Sequence, residues 1–199
     1  MTFERGFKAW CERTSALVRK ELDIGIADPL DVHRLAEYLG IVLWTPRDVP
    51  GIKNSDLLEL LDRSSSDWYA VGLQTGSRST IIYNPCQSAR RQASDISHEI
   101  AHFLLEHEPA RLILSESQAL EDVWVRSYDQ RQEDEANCLG WTLLVPREGL
   151  EQFVRRKFSE SAIADAFAVS EQLVRFRINS TGIGKQFYHW NAKSRQRKT

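Results

Sequence analysis

Apolar residues recur at three- and four-residue spacing along most of this chain, and alternate over only one short part of it. Phe3, Phe7, Trp10, Leu17 and Val18 predict an amphipathic helix from Thr2 to about Leu22. Gly25 and Pro29 punctuate the break that follows. Val32, Leu35 and Ala36 mark a second helix from about Pro29 to Tyr38, with Gly40 just past its end. Ile41 to Trp44 reads as a short strand. Residues 46–66 are polar, and the run Leu57 to Leu61 within them fits a short helix or a strand. Trp68 to Gln74 and Ser79 to Tyr83, joined by Thr75-Gly76-Ser77, read as an antiparallel hairpin ended by Asn84-Pro85. Helical spacing returns from about Ser88 to Glu106, from Gln130 to Val145 and from Arg147 to Phe158, with Pro109 and Pro146 as stops. Residues 110–127 fit an irregular loop or a short strand. The pattern predicts an α+β fold, mostly helical, with a small antiparallel sheet.

The helix from Ser88 carries His98-Glu99-Ile100-Ala101-His102. Two residues four apart on a helix differ by about 40° in direction and about 6 Å in rise. Both imidazoles therefore project from one face and can grip one metal ion. Zinc suits them, because it takes imidazole and carboxylate ligands in an open tetrahedral site. Glu99 sits at the edge of that face, within reach of an activated water without being a ligand. This is the HExxH arrangement of zinc hydrolases, with the glutamate as general base. Ile96, Ile100, Ala101, Phe103, Leu104 and Leu105 make the helix largely apolar, as a buried site-bearing helix requires.

A catalytic zinc usually has three protein ligands and one open position. A third histidine at HExxHxxGxxH spacing is excluded, since Leu105 and Glu108 occupy the glycine and histidine positions. His107, five residues past His102, points to another face and reads as a solvated helix-end residue. Glu133, Asp134 and Glu135 remain, at the start of the helix whose apolar face is Ala136, Leu139, Gly140 and Leu143. A helical wheel puts Asp134 opposite that face, with Glu133 and Glu135 flanking it on either side, so the wheel does not choose between them. Cys138 lies on the same helix and reads as a small buried core residue rather than a ligand.

The segments DISHEIAHFLLEH and QEDEANCLGWTLLVP together resemble the ImmA/IrrE family of zinc metallopeptidases. The family pairs HExxH with a later Glu-x-Glu-Ala segment that runs to a Leu-Leu-x-Pro-like end. PLDVHRLAEYLGIVL and IIYNPCQSARRQ are similar to its earlier elements, so the resemblance spans about residues 8–150. Ser94-Asp95, Ser97, Ala101 and Leu139-Gly140 depart from the residues many members carry. The resemblance implies a zincin-like domain over residues 1–150 and Zn2+ held by His98, His102 and Glu135. It also implies a protein substrate that is a helix-turn-helix transcriptional repressor encoded nearby. The setting it implies is stress response, a mobile element or a toxin–antitoxin-like pair.

Residues 151–185 carry a helix-turn-helix-like pattern. Ile163 and Phe167 precede a corner at Ala168-Val169-Ser170, and Leu173, Val174 and Ile178 follow. Arg175 and Arg177 on the second helix are candidate DNA contacts. Lys185, Lys193, Arg195, Arg197 and Lys198 accumulate beyond, and residues 186–199 form a basic tail expected to be disordered. The alternative reading of the segment is a helical pair packed on the peptidase domain.

The formal net charge of -2 argues against a protein that coats nucleic acid. Cys11, Cys86 and Cys138 are odd in number and lack a CxxC pair, which suits reduced thiols in the cytoplasm. No signal peptide or membrane-length apolar run is visible. The leading expectation is a cytoplasmic zinc endopeptidase in which Glu99 is the general base. The alternative is a DNA- or protein-binding transcriptional regulator with a structural or vestigial metal site. Arg90, Arg91, Tyr83 and Tyr128 are candidates for a second electrophile by type and position alone.

Overall fold

The computed structural model describes residues 3–62, 68–107 and 129–185. Its helices are α1 (Phe7–Glu21), α2 (Val32–Tyr38), α3 (Asn54–Leu60), α4 (Ala89–Leu104), α5 (Gln130–Leu144), α6 (Arg147–Arg155), α7 (Glu160–Phe167) and α8 (Glu171–Thr181). Its strands are β1 (Val42–Trp44), β2 (Ala70–Thr75) and β3 (Arg78–Tyr83). Side chains stop and start the helices where the sequence supplies them. Asp31 accepts from the His33 and Arg34 amides at α2, Ser88 from Arg91 at α4, and Asp129 from Arg131 and Gln132 at α5. The expected region 110–127 and the basic tail lie outside the described residues.

The fold is α+β as expected, but its sheet is mixed rather than antiparallel. The order is β1-β3-β2; β2 and β3 form the antiparallel hairpin, while β1 runs parallel to β3. The cause is topological. The chain leaves β1 through a 3-10 turn (Pro46–Asp48) and α3, and returns to build the hairpin with β3 in the middle. β1 then borders the strand that runs in its own direction. This leaves β2 as an edge. Thr75 and Arg78 close a two-residue turn, and bonded pairs alternate from there. Tyr69 accepts from the Asn84 amide, in step with that alternation. Ala70, Gly72 and Gln74 therefore direct their backbone groups away from β3, and the Gly72 amide meets Glu99 of α4.

The core lies between α4, α5, α1 and the sheet. Ile96, Ile100 and Ala101 of α4 pack with Ala136, Leu139 and Leu143 of α5, all essentially inaccessible to water. Leu150, Ile163, Phe167, Val174 and Ile183 extend the same apolar cluster into α6–α8. The α7–α8 corner follows the expected pattern. Ala168 adopts a left-handed conformation (φ 55°), Val169 is buried, and the Ser170 hydroxyl accepts from the Leu173 amide at 3.2 Å.

One charged side chain ties α1 to the end of α5. Arg19 is 2% exposed. Its guanidinium donates to the carbonyls of Leu143 and Leu144, which lack helical partners, and to those of Gly25 and Asp28. Burial pulls it down to about 10, against the pull of Asp28, so it stays charged at neutral pH. Arg19→Met leaves the Leu143 and Leu144 carbonyls buried without this donor. It is expected to lower unfolding stability by about 3 kcal/mol, measured by urea denaturation.

Candidate metal centre

α4 places His98 and His102 one turn apart on the face that meets α5. Their Nε2 atoms lie 3.0 Å apart. Glu133, in the first turn of α5, brings Oε2 to 3.1 Å from His98 Nε2 and Oε1 to 3.4 Å from His102 Nε2. Among the described residues these three are the group of side chains that could hold a metal ion. The distances test the fit. Ligand atoms about 2.0–2.1 Å from a tetrahedral zinc stand about 3.3 Å from one another. Two imidazole nitrogens and a carboxylate at 3.0–3.4 Å match that spacing. A cation between them also relieves the repulsion of the facing lone pairs.

Each histidine is oriented from behind. Asn137 Oδ1 lies 3.1 Å from His98 Nδ1, so a proton on that nitrogen leaves Nε2 free to ligate. Asn137 was not foreseen from the sequence, although it stands four residues after Glu133 and so shares its face. His102 Nδ1 meets His107 Nδ1 at 2.8 Å. His107 is therefore not the solvated residue expected; its side chain is 6% exposed. The reason is the helix end. Glu106 takes a left-handed conformation (φ 53°), His107 N–H bonds back to the His102 carbonyl, and Glu106 N–H bonds to that of Phe103. This double return turns the chain back across the last turn of the helix.

The expected third ligand is displaced in the same way. Glu135 does not join His98 and His102. Its Oε1 accepts from Arg131 Nε at 3.0 Å, and its Oε2 lies 3.4 Å from His107 Nε2. The physical reason is the seating of α5 on α4. Gly140 lies where a Cβ would come 3.0 Å from the Ser97 carbonyl oxygen and 3.2 Å from His98 Cα. The helices touch there, and Glu133 stands seven residues earlier, within about 20° of Gly140 around the helix. Glu135, five residues earlier, is rotated about 140° from it.

Glu99 is 5% exposed and points at the edge strand, where its Oε2 accepts from the Gly72 amide at 2.8 Å. A Cβ on residue 72 would lie 2.8 Å from that same oxygen and 3.2 Å from the Phe103 ring. Only glycine leaves room for the carboxylate. A cleft of about 520 Å³ opens in front of His98, Glu99 and Glu133. Tyr69 and Ala70 border it on the strand side, and Trp141 with Phe176 of α8 on the other, their rings 4.4 Å apart. Arg91 lines it too, stacked 4.1 Å over the Tyr69 ring and donating to Asp95 at 3.0 Å. Burial pushes the Asp95 carboxyl up to about 6, with Arg91 pulling the other way.

The other sequence candidates lie elsewhere. Arg90 pairs with Asp165 at 2.6 Å, and Tyr83 packs edge-on against His33. Tyr128 lies outside the described residues. Cys138 is buried beside Cys11. Arg177, read as a candidate DNA contact, is 4% exposed, with its guanidinium on the Val145 carbonyl and Glu12. Arg175 is held by Glu160. These two arginines fasten α8 to its neighbours, because α8 turns its first turns toward the cleft and its buried side toward α1 and α5.

The sequence model of a peptidase family, described as the IrrE N-terminal-like domain, matches residues 56–179, a span that includes α7 and most of α8. A search of curated proteins returns no match.

Proposed function

Because the chain belongs to the IrrE N-terminal-like peptidase family, we propose that it is a zinc-dependent endopeptidase whose metal is held by His98, His102 and Glu133. The observation that carries this reading is the triangle of donor atoms at 3.0–3.4 Å with the Glu99 carboxylate on the adjoining residue of the same helix. A structural site has no need of such a base. When bound, zinc supplies Lewis acidity to the scissile carbonyl and to the attacking water.

The protein groups divide the remaining work. Glu99 accepts the proton of the attacking water and returns it to the leaving amine. The Gly72 amide fixes that carboxylate, and Asn137 fixes the ring of His98. Ala70 borders the cleft with its backbone groups turned outward from the sheet. An extended substrate segment can pair there as an added strand. The substrate we propose is a helix-turn-helix transcriptional repressor encoded nearby, as the family resemblance implies.

The test is co-expression with the neighbouring repressor. One zinc per chain is expected to co-purify, a chelator to stop cleavage, and added zinc to restore it. Cleavage that persists in a metal-free preparation would refute the reading. Gly72→Ala tests the strand contact. The added methyl displaces Glu99 and is expected to lower kcat about tenfold to a hundredfold, with zinc content by atomic emission unchanged.

A further inference from the structure

We propose that His107 is a positioning residue of the metal centre, acting on His102 and itself held by Glu135. The proposal rests on the metal site proposed above and deepens it. His102 presents Nε2 to His98 and Glu133, so its lone pair must lie on that nitrogen for it to ligate. Its proton then resides on Nδ1, and a proton there requires an acceptor in a site that is 3% exposed. Nδ1 of His107, at 2.8 Å, is that acceptor. His107 in turn carries its proton on Nε2, which faces Glu135 Oε2 at 3.4 Å. Arg131 holds the other oxygen of Glu135 at 3.0 Å and itself reaches Glu4 at 2.7 Å. With His102 Nε2 kept bare for the metal, each donor in the chain from His102 to Glu135 has one acceptor under this assignment of protons.

The helix end makes this possible. The paired returns at Glu106 and His107 bring the residue after the left-handed position over the residue five before it. In such an ending those two side chains usually make an apolar contact. Here they are His107 and His102, with ring centroids 4.9 Å apart and planes inclined by 69°. An inclined pair lets a ring nitrogen point at a ring nitrogen, which a stacked pair does not. Glu135 thereby acquires a function although it is not a ligand: it fixes the tautomer of the histidine that fixes His102.

The experiment measures zinc affinity by competition with a chromogenic chelator, and the visible absorption of the cobalt-substituted protein. The variants are His107→Leu, His107→Asn and Glu135→Gln. His107→Leu keeps the bulk and removes the acceptor. It is expected to weaken zinc binding 10- to 100-fold, the usual loss for an outer partner of a ligand, and to shift the cobalt bands. His107→Asn places Oδ1 where Nδ1 stood and is expected to stay within about threefold of wild type. Glu135→Gln should fall between them. If His107→Leu binds zinc as the wild type does with the same cobalt spectrum, the proposal is wrong. It is equally wrong if the asparagine variant loses as much as the leucine variant, since the hydrogen bond would then not be the cause. Should His107→Leu fail to fold, unchanged affinity in Glu135→Gln overturns it. A wild type that binds no zinc refutes the metal site itself, a result distinct from these.

Discussion

Glu99→Gln is expected to retain its zinc and to lose peptide cleavage by a factor of about a hundred or more, the scale for removing a general base. The amide keeps the length of the side chain, and its carbonyl oxygen can still accept from the Gly72 amide, so the edge strand and helix α4 remain in place. The proposed metal ligands, His98, His102 and Glu133, are not altered. What disappears is basicity near neutral pH. Single-turnover cleavage of the repressor, set beside zinc content, separates the two. A variant that cleaves like the wild type would remove Glu99 from the chemistry and with it the hydrolytic mechanism.

Glu133→Gln should have the larger effect on the metal. Its carboxylate spans both histidine nitrogens, at 3.1 and 3.4 Å, and supplies the only negative charge among the three donors. Zinc affinity is expected to fall by more than about a hundredfold, beyond the 10- to 100-fold typical of an outer partner, and activity to fall with it. Glu135→Gln is expected to lose less than that, between the asparagine and leucine variants of His107. Chelator titration of both variants checks the order. If Glu135→Gln is the more damaging, the ligand assignment is reversed.

Much of this site is legible in the sequence because it depends on local periodicity. Four-residue spacing puts His98 and His102 on one face, whatever surrounds the helix. The hairpin, the α4 and α5 boundaries and the corner at Ala168 likewise follow from spacing and punctuation. The choice between Glu133 and Glu135 needed the contact line between two helices. An apolar wheel marks the middle of a buried face, but the closest approach is set by its smallest residue. Gly140 was that marker, and counting back two turns from it leads to Glu133. His107 was hidden for another reason. A left-handed residue at a helix end is usually glycine, and here it is Glu106, so no composition signal announced the reversal. The parallel pairing of β1 was hidden because a short apolar strand carries no record of its neighbour's direction.

The arginines of α8 show the limit of reading charge from sequence. Arg175 and Arg177 lie two apart on one helix and look like a cationic stripe. In the fold Arg177 lies inside, against a carbonyl and Glu12, while Arg175 faces water beside Glu160. Charge predicts a nucleic-acid contact only where the side chain faces water.

The contact at Gly140 has a consequence for how metal and folding are linked. The helices that supply the donors are joined there backbone to backbone, over a continuous layer of Ile96, Ile100, Leu139 and Leu143. That layer consists of apolar side chains and includes none of the donors, so the domain draws on hydrophobic burial for its assembly, in contrast to zinc fingers, which fold only when loaded. Binding then adds stability by mass action alone, about 4 kcal/mol when free zinc is a thousandfold above its dissociation constant. Removal of a metal held by His98, His102 and Glu133 is therefore expected to lower unfolding stability while leaving the far-ultraviolet helical signal of the folded domain in place.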